Sequence, residues 1–264
     1  MIAFNVTRHA AFFAGACLLA TLSPSAVHAD LLDDVLKAGV VRVAVVTDYP
    51  PFGSIGISMK PEGYDIEIAE IIAKSMGVKA ELVAVSSANK IPFIISQKAD
   101  VLLNIGRNEE RAKVVDFANP YAPYYIGVFG PADIGVSKID DLVGKNVATT
   151  RGSFEELILT KNAPAGTDIK RYEDNATTIS AFLSGQAQLV AFGNIVAAAL
   201  LEKNPARRPE QKLLLLNSPV CAAVLKGEGR LLEKVNAAIA QAKKDGTLAE
   251  MSRRWLKQPF PESL

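Results

Sequence analysis

Histidine is nearly absent. The 264-residue chain has two, His9 and His28, both within the first 29 positions. From Asp30 onward there is none, which excludes Ser-His-Asp and Cys-His catalysis in their usual form, and histidine metal sites with them. Cysteine is as scarce. Cys17 lies in the same N-terminal stretch, so Cys221 is left alone, and a single thiol forms no internal disulfide. Within Val220-Cys221-Ala222-Ala223-Val224 it reads as a small buried hydrophobe. Charge of one sign is missing too. Of 29 basic residues only Arg8 precedes Asp30, and none of the 28 acidic residues does, so the remainder is balanced. Nucleic-acid binding needs a positive field against phosphates, and a balanced chain gives no argument for it. The turn Thr149-Thr150-Arg151-Gly152-Ser153 lacks the lysine and the spacing of a phosphate-binding Walker loop.

What is present begins with a secretory signal. Arg8 and His9 are a short positive segment, Ala10 to Leu22 is apolar but too short and alanine-rich to span a bilayer, and Val27-His28-Ala29 puts small residues at both cleavage-determining positions. Cleavage is expected before Asp30.

Beyond it, strand and helix alternate. Val40 to Val46 is a β-branched run typical of a strand buried on both faces. Tyr64 to Met76 has helical spacing up to Gly77, Lys79 to Val85 reads as a strand, Asn89 to Gln97 as a helix and Val101 to Asn104 as a strand. This βαβαβ order predicts a parallel sheet with covering helices. The order recurs with strands at Asn146 to Thr150, Asp168 to Tyr172, Gln188 to Phe192 and Leu213 to Leu216, separated by helices beginning at Ser153, Thr177 and Asn194. Leu231 to Lys244 closes as an amphipathic helix, with a second one capped by Thr247. Two α/β halves predict two lobes. Ligands of open α/β sheets sit at the carboxyl ends of the strands, so an interdomain cleft is expected.

Five stretches follow strand ends. Asp48-Tyr49-Pro50-Pro51-Phe52 is a stiff aromatic turn, read either as a ligand platform or as core packing. Ser86-Ser87-Ala88-Asn89 offers hydrogen-bond donors or a helix cap. Asn104-Ile105-Gly106 runs into Arg107-Asn108-Glu109-Glu110-Arg111, where glycine lets backbone approach an anion and arginine presents a planar fork to a carboxylate. Gly152-Ser153-Phe154-Glu155 opens a helix whose free N–H groups and dipole favour anions. Phe192-Gly193-Asn194 is the matching strand end of the second half.

In order along the chain, Val43 to Phe52, Gly63 to Ile66, Ile91-Pro92, Asn108 to Arg111, Val115 to Tyr121, Leu142 to Val147 with Gly152-Ser153, and Lys244 to Leu248 with Trp255 resemble the polar amino-acid solute-binding proteins, family 3, of ABC importers. The resemblance implies an α/β, two-lobed periplasmic-binding-protein fold of type II. Lobe 1 would be 30–124 plus 218–264 and lobe 2 would be 125–217, joined near Tyr124-Tyr125 and Asn217-Ser218. It implies a periplasmic monomer, no cofactor, a small carboxylate-bearing ligand, and an ABC permease as partner. By position, Arg111 would clamp the ligand carboxylate with help from backbone near Gly106. Tyr49 would stack on the side chain, and Ser153 and Phe154 would offer N–H groups. Ser87 and Asn104 complete the lobe 1 candidates. Three positions depart from the family pattern: Val46 replaces an acid, Ser87 an aromatic, and Gly193 the lobe 2 aspartate that meets the ligand ammonium. Glu155 and Asn194 are the candidates to compensate. Two alternatives are an enzyme on the same fold, resembling the cyclohexadienyl dehydratases, and the ligand-sensing domain of a receptor.

Overall fold

The computed structural model describes residues 30–264; the expected signal segment and its cleavage site lie outside the described residues, save Asp30. Asp30 caps helix α1 (Leu31–Ala38), its carboxylate accepting the Leu32 N–H at 3.0 Å, and Gly39 ends the helix in the left-handed region at φ 68°. Strand β1 (Val40–Val45) follows, then a small hairpin of β2 (Ser54–Ile55) and β3 (Pro61–Glu62), helix α2 (Tyr64–Ser75) and strand β4 (Lys79–Ala84). After a 3₁₀ turn at Ser87–Asn89 come α3 (Lys90–Ile95), β5 (Val101–Ile105), the short α4 (Glu109–Ala112) and β6 (Val115–Ala122).

The chain then enters β7 (Tyr125–Gly130), β8 (Asn146–Thr150), α5 (Phe154–Asn162), β9 (Asp168–Tyr172), α6 (Asn175–Leu183), β10 (Leu189–Gly193), α7 (Asn194–Glu202) and β11 (Glu210–Asn217). It returns through β12 (Val220–Leu225), followed by α8 (Gly229–Lys244), α9 (Thr247–Met251) and a π-helical turn over Ser252–Leu256.

Two five-stranded sheets result. The first has the order β4-β1-β5-β12-β6 and the second β11-β7-β10-β8-β9. Chain passes between them twice, at 122–125 and 217–220, and the crossings touch where the Ser218 N–H donates to the Tyr124 carbonyl at 3.1 Å. This is the two-lobed, type II arrangement with two crossovers.

The sheets are mixed, a correction to the all-parallel expectation. β1 runs parallel to β4 and β5, but β12 is antiparallel to both β5 and β6, and β7 is antiparallel to both β10 and β11. Strands β6, β7 and β12 flank the crossings; β7 and β12 run against the βαβ direction, while β6, antiparallel to β12, runs with it. Their sequences, with Pro120 and Gly127 among them, give no clean alternation.

The continuous apolar runs bury both faces of the central strands. Val41, Val43 and Val45 of β1 join the largest core cluster while Ala44 joins a separate one with Leu102, Ile105 and Ala223. Cys221 is buried, and Arg107 Nε donates to its sulfur at 3.3 Å. The final helical stretch differs from the expectation in its cap. Asp245 accepts both the N–H and the hydroxyl of Thr247, so Thr247 is the first helical residue rather than its cap.

Candidate functional site

Both sheets aim strand ends at one cavity of about 530 Å³, its mouth included. From the first sheet come Val46 and Tyr49 after β1, Ser87 after β4, and Asn104, Gly106 and Arg111 around the end of β5. From the second come Gly152, Ser153, Phe154 and Glu155 after β8. Tyr124 and Ser218 line it from the crossings.

Arg111 sits in α4, whose start is fixed by Asn108: its side-chain oxygen accepts the Arg111 N–H at 2.7 Å. The guanidinium donates to the Gly106 carbonyl at 3.0 Å and, across the cleft, to the Gly152 carbonyl at 3.3 Å. It also lies 5.1 Å over the Phe154 ring, a cation–π arrangement bridging the lobes. Burial pulls its pKa down from the usual arginine value and the Glu155 carboxylate opposes the shift. Phe154 is seated by the missing side chain of Gly106. A Cβ there would lie 1.9 Å from Phe154 Cδ1.

Opposite Arg111 is a chain of phenols ending on a carboxylate. Gly193 N–H donates to the Tyr49 hydroxyl at 3.1 Å, the Tyr49 and Tyr124 hydroxyls are 2.7 Å apart, and the Tyr124 hydroxyl donates to Glu155 Oε1 at 2.6 Å. Because Tyr124 gives its proton to Glu155, Tyr49 is the donor to Tyr124. Burial and the nearby Glu155 charge push both phenols well above their ordinary pKa, which keeps them protonated donors. Glu155 is 8% exposed, and among the described residues it forms no ion pair. An unpaired buried carboxylate is costly, so the site favours a cation beside it.

The same geometry explains the departure at Gly193. A Cβ on that residue would lie 2.0 Å from Tyr124 Cζ. The Tyr124 ring occupies the space that an acidic side chain there would need, and the carboxylate that lines the cavity on this side is Glu155.

Other candidate residues take different duties. Tyr49 lines the cavity, but its ring is stacked on Phe52 at 6.3 Å and its hydroxyl is tied into the phenol chain. Ser153 caps α5, its Oγ accepting the Glu156 N–H at 3.1 Å, while its own N–H donates to the Thr150 carbonyl at 3.1 Å. That N–H is engaged inside lobe 2, contrary to the expectation that it serves a ligand. Phe154 and Glu155, in the first turn of α5, have N–H groups without intrahelical acceptors. Asn104, at a left-handed φ of 53°, gives its side-chain amide to Asp65 at 3.0 Å. Asn194 does not line the cavity. Its oxygen accepts the Tyr125 N–H at 2.9 Å, which makes it a brace of the first crossing.

Besides Tyr124, read from the sequence only as part of a crossing, two residues escaped the sequence reading as site groups. Lys90 opens α3, is 8% exposed, lines the cavity and donates to the Asn104 carbonyl. Desolvation brings its pKa down to about 8, opposed first by the charge of Asp65 and reinforced by Arg111. A single lysine before Ile91-Pro92 carries no helical or motif signal that separates it from a solvated helix start. Asp48 reaches across the cleft to the start of α6. Its carboxylate accepts the Asn175 N–H at 2.8 Å, the Asn175 side-chain N–H at 3.0 Å and the Ala176 N–H at 3.2 Å. This is helix capping supplied by the other lobe.

With this geometry in view, residues 41–258 match the bacterial extracellular solute-binding proteins, family 3. The L-cystine-binding protein TcyJ of Escherichia coli (strain K12) is 31% identical over 228 residues, 85% of either chain. The solved solute receptor for L-cysteine of Neisseria gonorrhoeae is 30% identical with a TM-score of 0.80, covering 88% of this chain and 96% of that one. An ancestral amino-acid-binding protein, AncCDT-1, described as a precursor of cyclohexadienyl dehydratase, is 28% identical with a TM-score of 0.78, covering 86% and 99%. The match spans both sheets and the whole cavity lining, and the chain therefore belongs to family 3 of the bacterial extracellular solute-binding proteins.

Proposed function

We propose that this protein captures a free amino acid between its lobes and presents it to an ABC permease. The observation that carries the reading is the pairing of Arg111 and Glu155 on one enclosed cavity. Arg111 has donors for the ligand carboxylate, with N–H groups of Phe154 and Glu155 alongside. Glu155, held by the phenol of Tyr124, accepts the ligand ammonium. Opposite charges on one cavity select a zwitterion. The names of the matched relatives, which bind L-cystine and L-cysteine, support the same class.

The lobes in this reading are 30–124 with 218–264, and 125–217; each sheet drawing its strands from one of these sets supports the boundaries. The protein works in the periplasm as a monomer after removal of residues 1–29, and the ligand leaves unchanged rather than as product. Native mass spectrometry of the protein purified from a periplasmic extract tests this. It should show one amino-acid mass per chain, beginning at Asp30, recovered intact on denaturation. A ligand converted on incubation would establish the enzyme reading, and a bound molecule without a carboxylate would end the amino-acid reading.

A further inference from the structure

Counting charges around the cavity leaves one lysine unexplained. Arg111 and Glu155 match the two ends of a zwitterion, but Lys90 is a third ionisable group on the same wall. Its ammonium has three donors. Among the described residues it has one hydrogen-bond partner, the neutral carbonyl of Asn104, and no ion pair. The acid whose charge acts on it most is Asp65, which is already engaged: its two oxygens accept the Tyr121 hydroxyl at 2.7 Å and the Asn104 side-chain amide at 3.0 Å. Glu155 and Asp48 act on Lys90 through space, and Arg111 repels it.

We infer that Lys90 is a specificity-determining residue that receives a second anionic group, so that the ligand is an acidic amino acid, with a side-chain carboxylate or comparable anion, rather than its neutral amide counterpart. The inference rests on the amino-acid reading above and narrows it. A buried ammonium with unused donors is costly until an acceptor arrives, and an anion satisfies it better than a neutral carbonyl oxygen. Of the other acceptors on the wall, Glu155 is taken by the ligand ammonium in the reading above. The Asn104 carbonyl already holds Lys90, and the Ser87 hydroxyl is neutral. Burial also drives the Lys90 pKa down to about 8, so an anion that binds there restores the protonated form and takes up protons above neutrality.

Calorimetry with L-glutamate, L-aspartate, L-glutamine and L-asparagine tests this on the wild-type protein and on Lys90→Met, a residue of similar length without charge. The wild type should bind the better acid at least about 30-fold more tightly than its amide, as a buried charge-assisted contact warrants. Lys90→Met should bring acid and amide within about threefold of each other, while Lys90→Arg should keep the preference for the acid. A merely structural lysine would change all four affinities together and leave the ratio alone. Equal or tighter binding of the amide by the wild type, or an unchanged ratio in Lys90→Met, would overturn the inference. So would binding of L-cystine or a neutral amino acid with no binding of the acids, in which case the amino-acid reading survives. If no free amino acid binds, the inference falls together with that reading.

Discussion

Replacing Arg111 by alanine puts the proposed site under direct strain. The guanidinium has five N–H donors, and two of its contacts go to the Gly106 and Gly152 carbonyls at 3.0 and 3.3 Å. The remaining donors are available for a carboxylate. Truncation removes that pairing and leaves the ligand carboxylate desolvated without a counter-charge. Losing one partner of such a buried pair costs about 2–5 kcal/mol, so roughly 30-fold to a few thousandfold in affinity. It also removes the cross-cleft contact to Gly152 and the stacking on Phe154, so the variant should close less readily. Arg111→Lys should recover only part of the loss, because an ammonium cannot form the planar fork. Isothermal titration with an amino acid that binds the wild type reads these effects, and circular dichroism confirms that the variants fold. Wild-type affinity in a folded Arg111→Ala protein would refute the assignment of the carboxylate to this residue.

Asp48→Ala should loosen the closed form by removing three hydrogen bonds to the start of α6, seen as a larger radius of gyration for the unliganded variant in small-angle scattering; an unchanged profile would deny Asp48 a part in closure. Lys90→Met should stabilise the unliganded protein at pH 7. The folded pKa of about 8 lies below the usual lysine value of 10.5, so lysine's contribution is most favourable above 10.5 and is lost as pH falls through 8; the penalty at pH 7 is up to about 3 kcal/mol. Denaturant titrations at pH 7 and pH 10 should show the variant's advantage shrinking with pH, and an advantage that grows would contradict the burial argument. Gly193→Ala should lower the melting temperature, since the added carbon meets the Tyr124 ring at 2.0 Å; overpacking of this kind costs about 1–3 kcal/mol. A Gly193→Ala protein as stable as the wild type would mean that Tyr124 yields freely.

Much of the fold was legible because β-branched runs such as Val40 to Val45 and glycine stops such as Gly77 act locally. The reversed strands β7 and β12 were not, because their direction depends on the chain crossing between sheets and on pairing across about a hundred residues, as between Cys221 and Pro120. At the cavity, Arg111 was readable from the turn that carries it, and Glu155 from its place in the first turn of α5. Asn194 was placed beside the ligand on sequence adjacency to Gly193. A helix start turns successive side chains in different directions, and Asn194 faces the crossing instead. Lys90, Asp48 and Tyr124 gain their meaning only from neighbours contributed by remote segments: the Asn104 carbonyl, the start of α6, and Gly193 with Glu155.

The claim that Arg111 and Glu155 read the two ends of one zwitterion is tested most directly by titrating the wild-type protein with three forms of the same ligand. These are the amino acid that binds, the acid lacking its amine, and its carboxamide. The account predicts that each analogue binds at least about 30-fold more weakly than the parent, because each leaves one buried charge unpaired. An amine-free acid that binds as tightly as the amino acid would contradict it, since Glu155 would then have no ammonium to meet.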